Sequence, residues 1–137
     1  MTTGRLIPYT LFTDPELARI GLNEKEAKAR GIPYRLFKIP MKQVLRAHTL
    51  SETHGFLKAL VEIDGDRILG FTAFAVDGGE IMASVQMAMV AGSPFPAIRD
   101  AIWAHPTLVE GLTSLFSSAP LLSARSDARS GTLSQIA

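Results

Sequence analysis

Six consecutive residues, His105-Pro106-Thr107-Leu108-Val109-Glu110, hold the side chains of this sequence best suited to chemistry. An imidazole and a carboxylate stand five positions apart across a proline. Histidine changes charge near neutral pH, and a carboxylate that orients the ring makes it a proton shuttle. The same spacing has a structural reading. Thr107 followed three residues later by Glu110 is also the pattern of a helix capping box.

Other candidates are thinner. His48, Glu52 and His54 lie close together, but their spacing matches no common zinc pattern, and a solvated loop accounts for them. Gly78-Gly79 ahead of a helix can hold an anion, although a tight turn suffices. Met82, Met87 and Met89 at mixed helical spacing read as core or interface packing. Trp103 reads as packing or as an aromatic at a subunit seam. Arg125 and Arg129 are too few for a nucleic-acid arm. The chain has no cysteine, which excludes disulfides, cysteine-ligated zinc and thiol chemistry by this chain alone. It has neither a Gly-x-Gly-x-x-Gly nor a Walker-type loop, and no third group stands ready to build a complete active site.

The elements that must position the pair follow from pattern. Residues 7–13 (IPYTLFT) read as a strand that Asp14-Pro15 ends. Asn23 with Glu26 forms a capping box, so residues 23–30 read as a helix closed by Gly31. Residues 34–39 read as a strand, and residues 41–54 as a connection with one helical turn. Residues 56–63 and 67–76 read as a hairpin about Asp64-Gly65-Asp66. The second arm is nearly all apolar and so buried on both faces, with Gly70 marking a bulge or a close backbone approach. Residues 80–91 form a helix apolar almost all round, which places it between a sheet and something else. A short helix at 97–104 and a last helix at 107–116 flank His105-Pro106.

This order predicts an α+β domain, an antiparallel sheet with helices packed on it, over residues 7–116. Residues 1–6 read as a leader and residues 117–137 as a mobile or loosely docked tail. The 137 residues suit one domain, and 47% hydrophobic with 20% charged residues is a globular composition. A net charge of +1 gives no electrostatic case for nucleic acid or an anionic membrane. With no signal-peptide pattern and no membrane-length apolar run, a cytoplasmic location is the expectation.

Several segments together resemble a known domain. They are Phe12-Thr13-Asp14-Pro15-Glu16, Ile20-Gly21-Leu22, the helix NEKEAKA, Arg46-Ala47, Gly55-Phe56-Leu57-Lys58, Ile68-Leu69-Gly70, Gly79-Glu80-Ile81 and His105-Pro106-Thr107 with Glu110. In this order they resemble the C-terminal dimerisation domain of the pyridine nucleotide-disulfide oxidoreductases, which include dihydrolipoamide dehydrogenase, glutathione reductase and mercuric reductase. The resemblance implies a homodimer of chains that also carry FAD and NAD(P) domains and a redox-active cysteine pair. It implies that His105 is the acid-base residue delivered to the partner subunit's flavin and cysteine pair, that Glu110 orients it, and that His105-Pro106 is cis. FAD and NAD(P) would belong to the parent enzyme, and this chain alone would bind neither and be inactive. It departs from the family in lacking the two nucleotide domains and every cysteine, and Ala73-Phe74-Ala75-Val76 replaces the usual segment after the long strand. Two readings remain: a dimerisation module of such an oxidoreductase, or a free-standing binding protein that kept the fold without the redox chemistry.

Overall fold

The computed structural model describes residues 5–123. Six strands form one antiparallel sheet in the order β1-β2-β5-β4-β3-β6: β1 (Tyr9–Leu11), β2 (Glu16–Gly21), β3 (Tyr34–Pro40), β4 (Phe56–Glu62), β5 (Ile68–Ala75) and β6 (Leu121–Leu122). Five helices accompany it: α1 (Glu24–Ala29), α2 (Leu45–Thr49), α3 (Gly78–Val90), α4 (Phe95–Arg99) and α5 (Gly111–Ser117). The expected α+β architecture is the observed one.

The helices sit unequally on the two faces. On one face α3 packs against β2 and β5, and α5 against β3 and β4, around Phe37, Leu57, Phe71, Ile81, Leu112 and Leu115. The other face carries α1 over a smaller cluster of Ala27, Tyr34, Leu60 and Leu69. The Asn23 side chain accepts the Glu26 N–H at 2.7 Å, and the Glu26 carboxylate accepts the Asn23 N–H at 2.9 Å, so the expected capping box starts α1. Two ion pairs hold α1 to the sheet, Glu26 to Arg19 at 2.6 Å and Glu24 to Lys58 at 2.9 Å.

At the β4–β5 hairpin both readings of Gly70 hold. The register slips between Leu60 and Val61, leaving Leu69 without a direct opposite. This bulge puts Ile68 and Phe71 on the same core face and turns Leu69 to the other. The freed Leu69 carbonyl accepts the Leu22 N–H at 2.9 Å. A β-carbon at residue 70 would run into the Leu22 backbone, 2.6 Å from its nitrogen, so only glycine fits there.

Several boundaries differ from expectation. The first strand is only Tyr9–Leu11, and β2, which the sequence reading missed, follows the Asp14-Pro15 turn to form a hairpin with it. Residues 41–54 hold a 3-10 turn, Met41–Gln43, as well as α2. The helix expected at 97–104 is α4, which ends at Arg99, and the last helix begins at Gly111 instead of Thr107. Of the expected tail, residues 117–123 complete α5 and add β6 to the sheet edge, and Ser123 bonds the Tyr34 backbone in both directions. Residues 1–4 of the leader and 124–137 of the tail lie outside the described residues. No helix among the described residues is long and apolar enough to cross a membrane.

Candidate functional site: the His105–Glu110 loop

The chain leaves α4 at Asp100 and crosses irregular backbone before α5. The loop is anchored from both ends. The Trp103 indole N–H donates to the Ile98 carbonyl at 3.2 Å, and Leu108 and Val109 pack against the main core. Between these anchors the His105–Pro106 peptide is cis, as the resemblance implied. The Thr107 hydroxyl donates to the Ala104 carbonyl at 2.8 Å, tying the two sides of the proline together.

His105 and Glu110 meet across this turn. His105 Nδ1 lies 2.8 Å from Glu110 Oε1 and 3.0 Å from Oε2. Glu110 Oε2 also accepts the Thr107 N–H at 3.4 Å, which is half of a capping box, one turn ahead of the helix proper. The chemical and the structural reading of Glu110 therefore coexist in one side chain. The carboxylate faces two donors, and the His105 bond chiefly holds its pKa below the ordinary carboxylate value. A carboxylate on Nδ1 favours the tautomer with the proton there, which leaves Nε2 as the acceptor. The His105 side chain is 62% exposed and Glu110 31%, so the ring is presented outward and its orienting partner is set back.

The fold brings α5 unusually close beneath the pair. A β-carbon at Gly111 would stand 2.8 Å from Val44 and 3.2 Å from Leu57, so this glycine lets the helix start against the sheet with Glu110 at its lip. The cleft beside the pair, lined by Gln43, Leu45, His105, Glu110 and Thr113, has a volume of about 180 Å³. Sites that enclose small molecules span roughly 300–1,000 Å³. The cleft is smaller than that range, and the sequence carries no glycine-rich phosphate loop, so the residues lining it do not fit a dinucleotide.

The other candidates stay apart from this loop. His48, on α2, bonds the Lys42 carbonyl through Nε2, and no group of three or more potential metal ligands is found among the described residues. The Gly79 N–H at the start of α3 donates to Glu16 Oε2 at 3.1 Å, so a carboxylate of the chain itself takes the place of an anion there. Sequence reasoning missed Thr107 as the brace of the loop and Gly111 as the close approach. The Thr-x-x-Glu spacing was a signal for the first, and an isolated glycine after it was none.

A six-stranded antiparallel sheet with helices on both faces is the architecture of disulfide-reductase dimerisation domains. The chain belongs to the family described as pyridine nucleotide-disulphide oxidoreductase, dimerisation domain, whose model matches residues 7–116. It is 37% identical over 111 residues to the probable pyridine nucleotide-disulfide oxidoreductase RclA of Escherichia coli, covering 81% of this chain and 25% of that protein. To dihydrolipoamide dehydrogenase of Chaetomium thermophilum it is 38% identical over 104 residues, covering 76% of this chain and 21% of the other. The solved structure of the HOCl-induced flavoprotein disulfide reductase RclA superposes with a TM-score of 0.79 at 36% identity, covering 82% of this chain and 26% of that one. The chain thus spans about a quarter of the length of these relatives.

Proposed function

We propose that this domain pairs two copies of a flavin-dependent pyridine nucleotide-disulfide oxidoreductase and lends each copy's His105 to the active site of the other. The observation that carries the reading is the pair itself: an exposed imidazole whose Nδ1 is held by Glu110 at 2.8 Å. Nε2 then takes a proton from a thiol of the partner's redox cysteine pair as the thiolate forms, and returns it when the thiol is regenerated. Glu110 stabilises the imidazolium in between. A shared site makes catalysis depend on assembly. The FAD and NAD(P) belong to the other domains of the parent enzyme, which works in the cytoplasm.

The apolar outer stripe of α3 supplies much of the seam. Ala83, Met87 and Val90, with the C-cap Ala91, are exposed at helical spacing below Glu80 in the first turn, while Ile81, Met82 and Val85 face the sheet. A helix apolar on both sides needs cover on both, and a second copy provides it.

The test is a chimaera in which residues 7–116 replace the matching segment of RclA. Its disulfide reductase activity is measured across pH. His105→Ala is expected to lower turnover by about 10²–10⁴, the usual worth of a positioned acid-base group, and to flatten the pH profile. Full activity of the alanine variant at every pH would overturn the assignment.

A further inference from the structure

The chain contains no cysteine, so an oxidant that reaches it spends itself first on methionine sulfur. The four described methionines differ sharply in access. Met41 is fully buried, Met82 is 6% exposed, and Met89 is half-buried against the main core. Met87 is 64% exposed, in the middle of the outer stripe of α3.

We infer that Met87 is a redox-sensitive element of the assembly surface: its oxidation by a hypohalous acid converts the α3 stripe from a face that pairs into one that does not. The inference rests on the reading of α3 as a dimer seam. In the step, the thioether sulfur is oxidised by two electrons and takes the oxygen of hypochlorous acid. The chlorine is reduced to chloride and the proton is released. The product is a sulfoxide, polar and strongly hydrogen-bonding, on a side chain that had been apolar. Of the residues one turn away, Ala83, Val90 and Ala91 offer it no side-chain donor and Ser84, half-buried, offers one hydroxyl, so pairing would bury the sulfoxide with most of its hydrogen-bonding capacity unmet. In a twofold dimer the penalty arises twice. Oxidation acts on the dissociated subunit, where Met87 is open, and mass action then draws the population toward monomers. Methionine sulfoxide reductases reverse the change, since the sulfoxide is the one rung of methionine oxidation they reduce.

The experiment is light scattering of the full 137-residue chain across a dilution series, before and after limited hypochlorous acid, with peptide mass spectrometry reporting each methionine. The untreated chain is expected to dimerise, and the chain oxidised at Met87 to dimerise at least about tenfold more weakly, a difference of about 1.4 kcal/mol. Met87→Leu should keep its affinity through the same treatment. Met87→Gln should be weakened without any oxidant, and reductase treatment should restore the wild type. Sulfoxide at Met87 with unchanged affinity overturns this inference and leaves the dimer reading intact, as does a Met87→Leu chain that weakens equally. Failure of Met87 to oxidise before the buried methionines also overturns it. An untreated chain that stays monomeric at every concentration overturns the dimer reading itself, and this inference with it.

Discussion

Replacing Gly70 by alanine tests whether the β2–β5 crossing is as tight as its geometry requires. The new β-carbon would lie 2.6 Å from Leu22 N and 2.8 Å from Leu22 C, and closer still to its carbonyl oxygen. Non-bonded carbon contacts are comfortable at about 3.5 Å, so the Leu22 backbone must retreat by roughly 1 Å. That movement stretches the Leu22 N–H to Leu69 carbonyl bond from 2.9 Å to well beyond hydrogen-bonding range. Losing the bond costs about 1 kcal/mol, and the overpacking about 1–3 kcal/mol. Alanine recovers about 0.5 kcal/mol by restricting the unfolded chain. The net destabilisation is about 1.5–3.5 kcal/mol, a fall in Tm on the order of 6–14 °C for a domain of this size. Urea unfolding followed by circular dichroism measures it. Gly31→Ala is the control. Gly31 follows the C-cap of α1 at φ +64, and nothing lies within 4 Å of its missing β-carbon, so only the left-handed backbone cost of about 1–2 kcal/mol applies. A Gly70→Ala chain within about 0.5 kcal/mol of wild type would refute the close-approach argument, whatever Gly31→Ala did.

Acid should loosen the fold through three carboxylates. Hydrogen bonds from Lys58 to Glu24, from the Asn23 N–H to Glu26 and from His105 to Glu110 each hold the acid below its ordinary pKa of 4.5. A depressed folded pKa means the unfolded chain binds more protons near that pH, so this stability is present above about 4.5 and lost as pH falls through the folded values. Urea midpoints measured from pH 7 down to pH 3 should fall below about pH 4.5, and Glu24→Gln should flatten that fall; an unchanged profile in the variant would exclude the Lys58 pair as a contributor. Asn23→Ala removes the side chain that accepts the Glu26 N–H at 2.7 Å and should cost about 1 kcal/mol in the same assay.

Legibility in the sequence followed the range of the interactions. The capping box of α1 and the β4–β5 hairpin turn are made by neighbours in the chain, and both were readable. Gly70 was readable because a glycine inside an apolar strand is unusual enough to need a reason. β2 was not. Its residues ELARIG show no clean alternation, and the strand is defined by six pairings to β5, 49 to 59 residues away. β6 is two residues long and exists only because β3 lends it an edge. In the candidate site, the spacing of His105 and Glu110 was visible, and their contact followed from a local turn. The start of the last helix was misjudged because Glu110 serves the loop through the Thr107 N–H before the helix begins.

The sheet order puts β1 at one edge and β6 at the other, with the whole width of the sheet between the first strand and the last. A load applied between those two strands therefore runs across the sheet, perpendicular to its strands. Hydrogen bonds pulled in that direction open one pair at a time, like a zip, instead of sharing the strain. The shortest seam gives way first, and that is β3–β6, joined at Arg35–Leu122 and Leu36–Leu121 with two further bonds between Ser123 and Tyr34. Under tension β6 peels away while the other five strands, and the helix face that they carry, stay whole. The domain thus has a mechanical fuse at the edge remote from β1: β6 yields first, and only then does the load pass through residues 118–120 to α5, whose first residue follows Glu110.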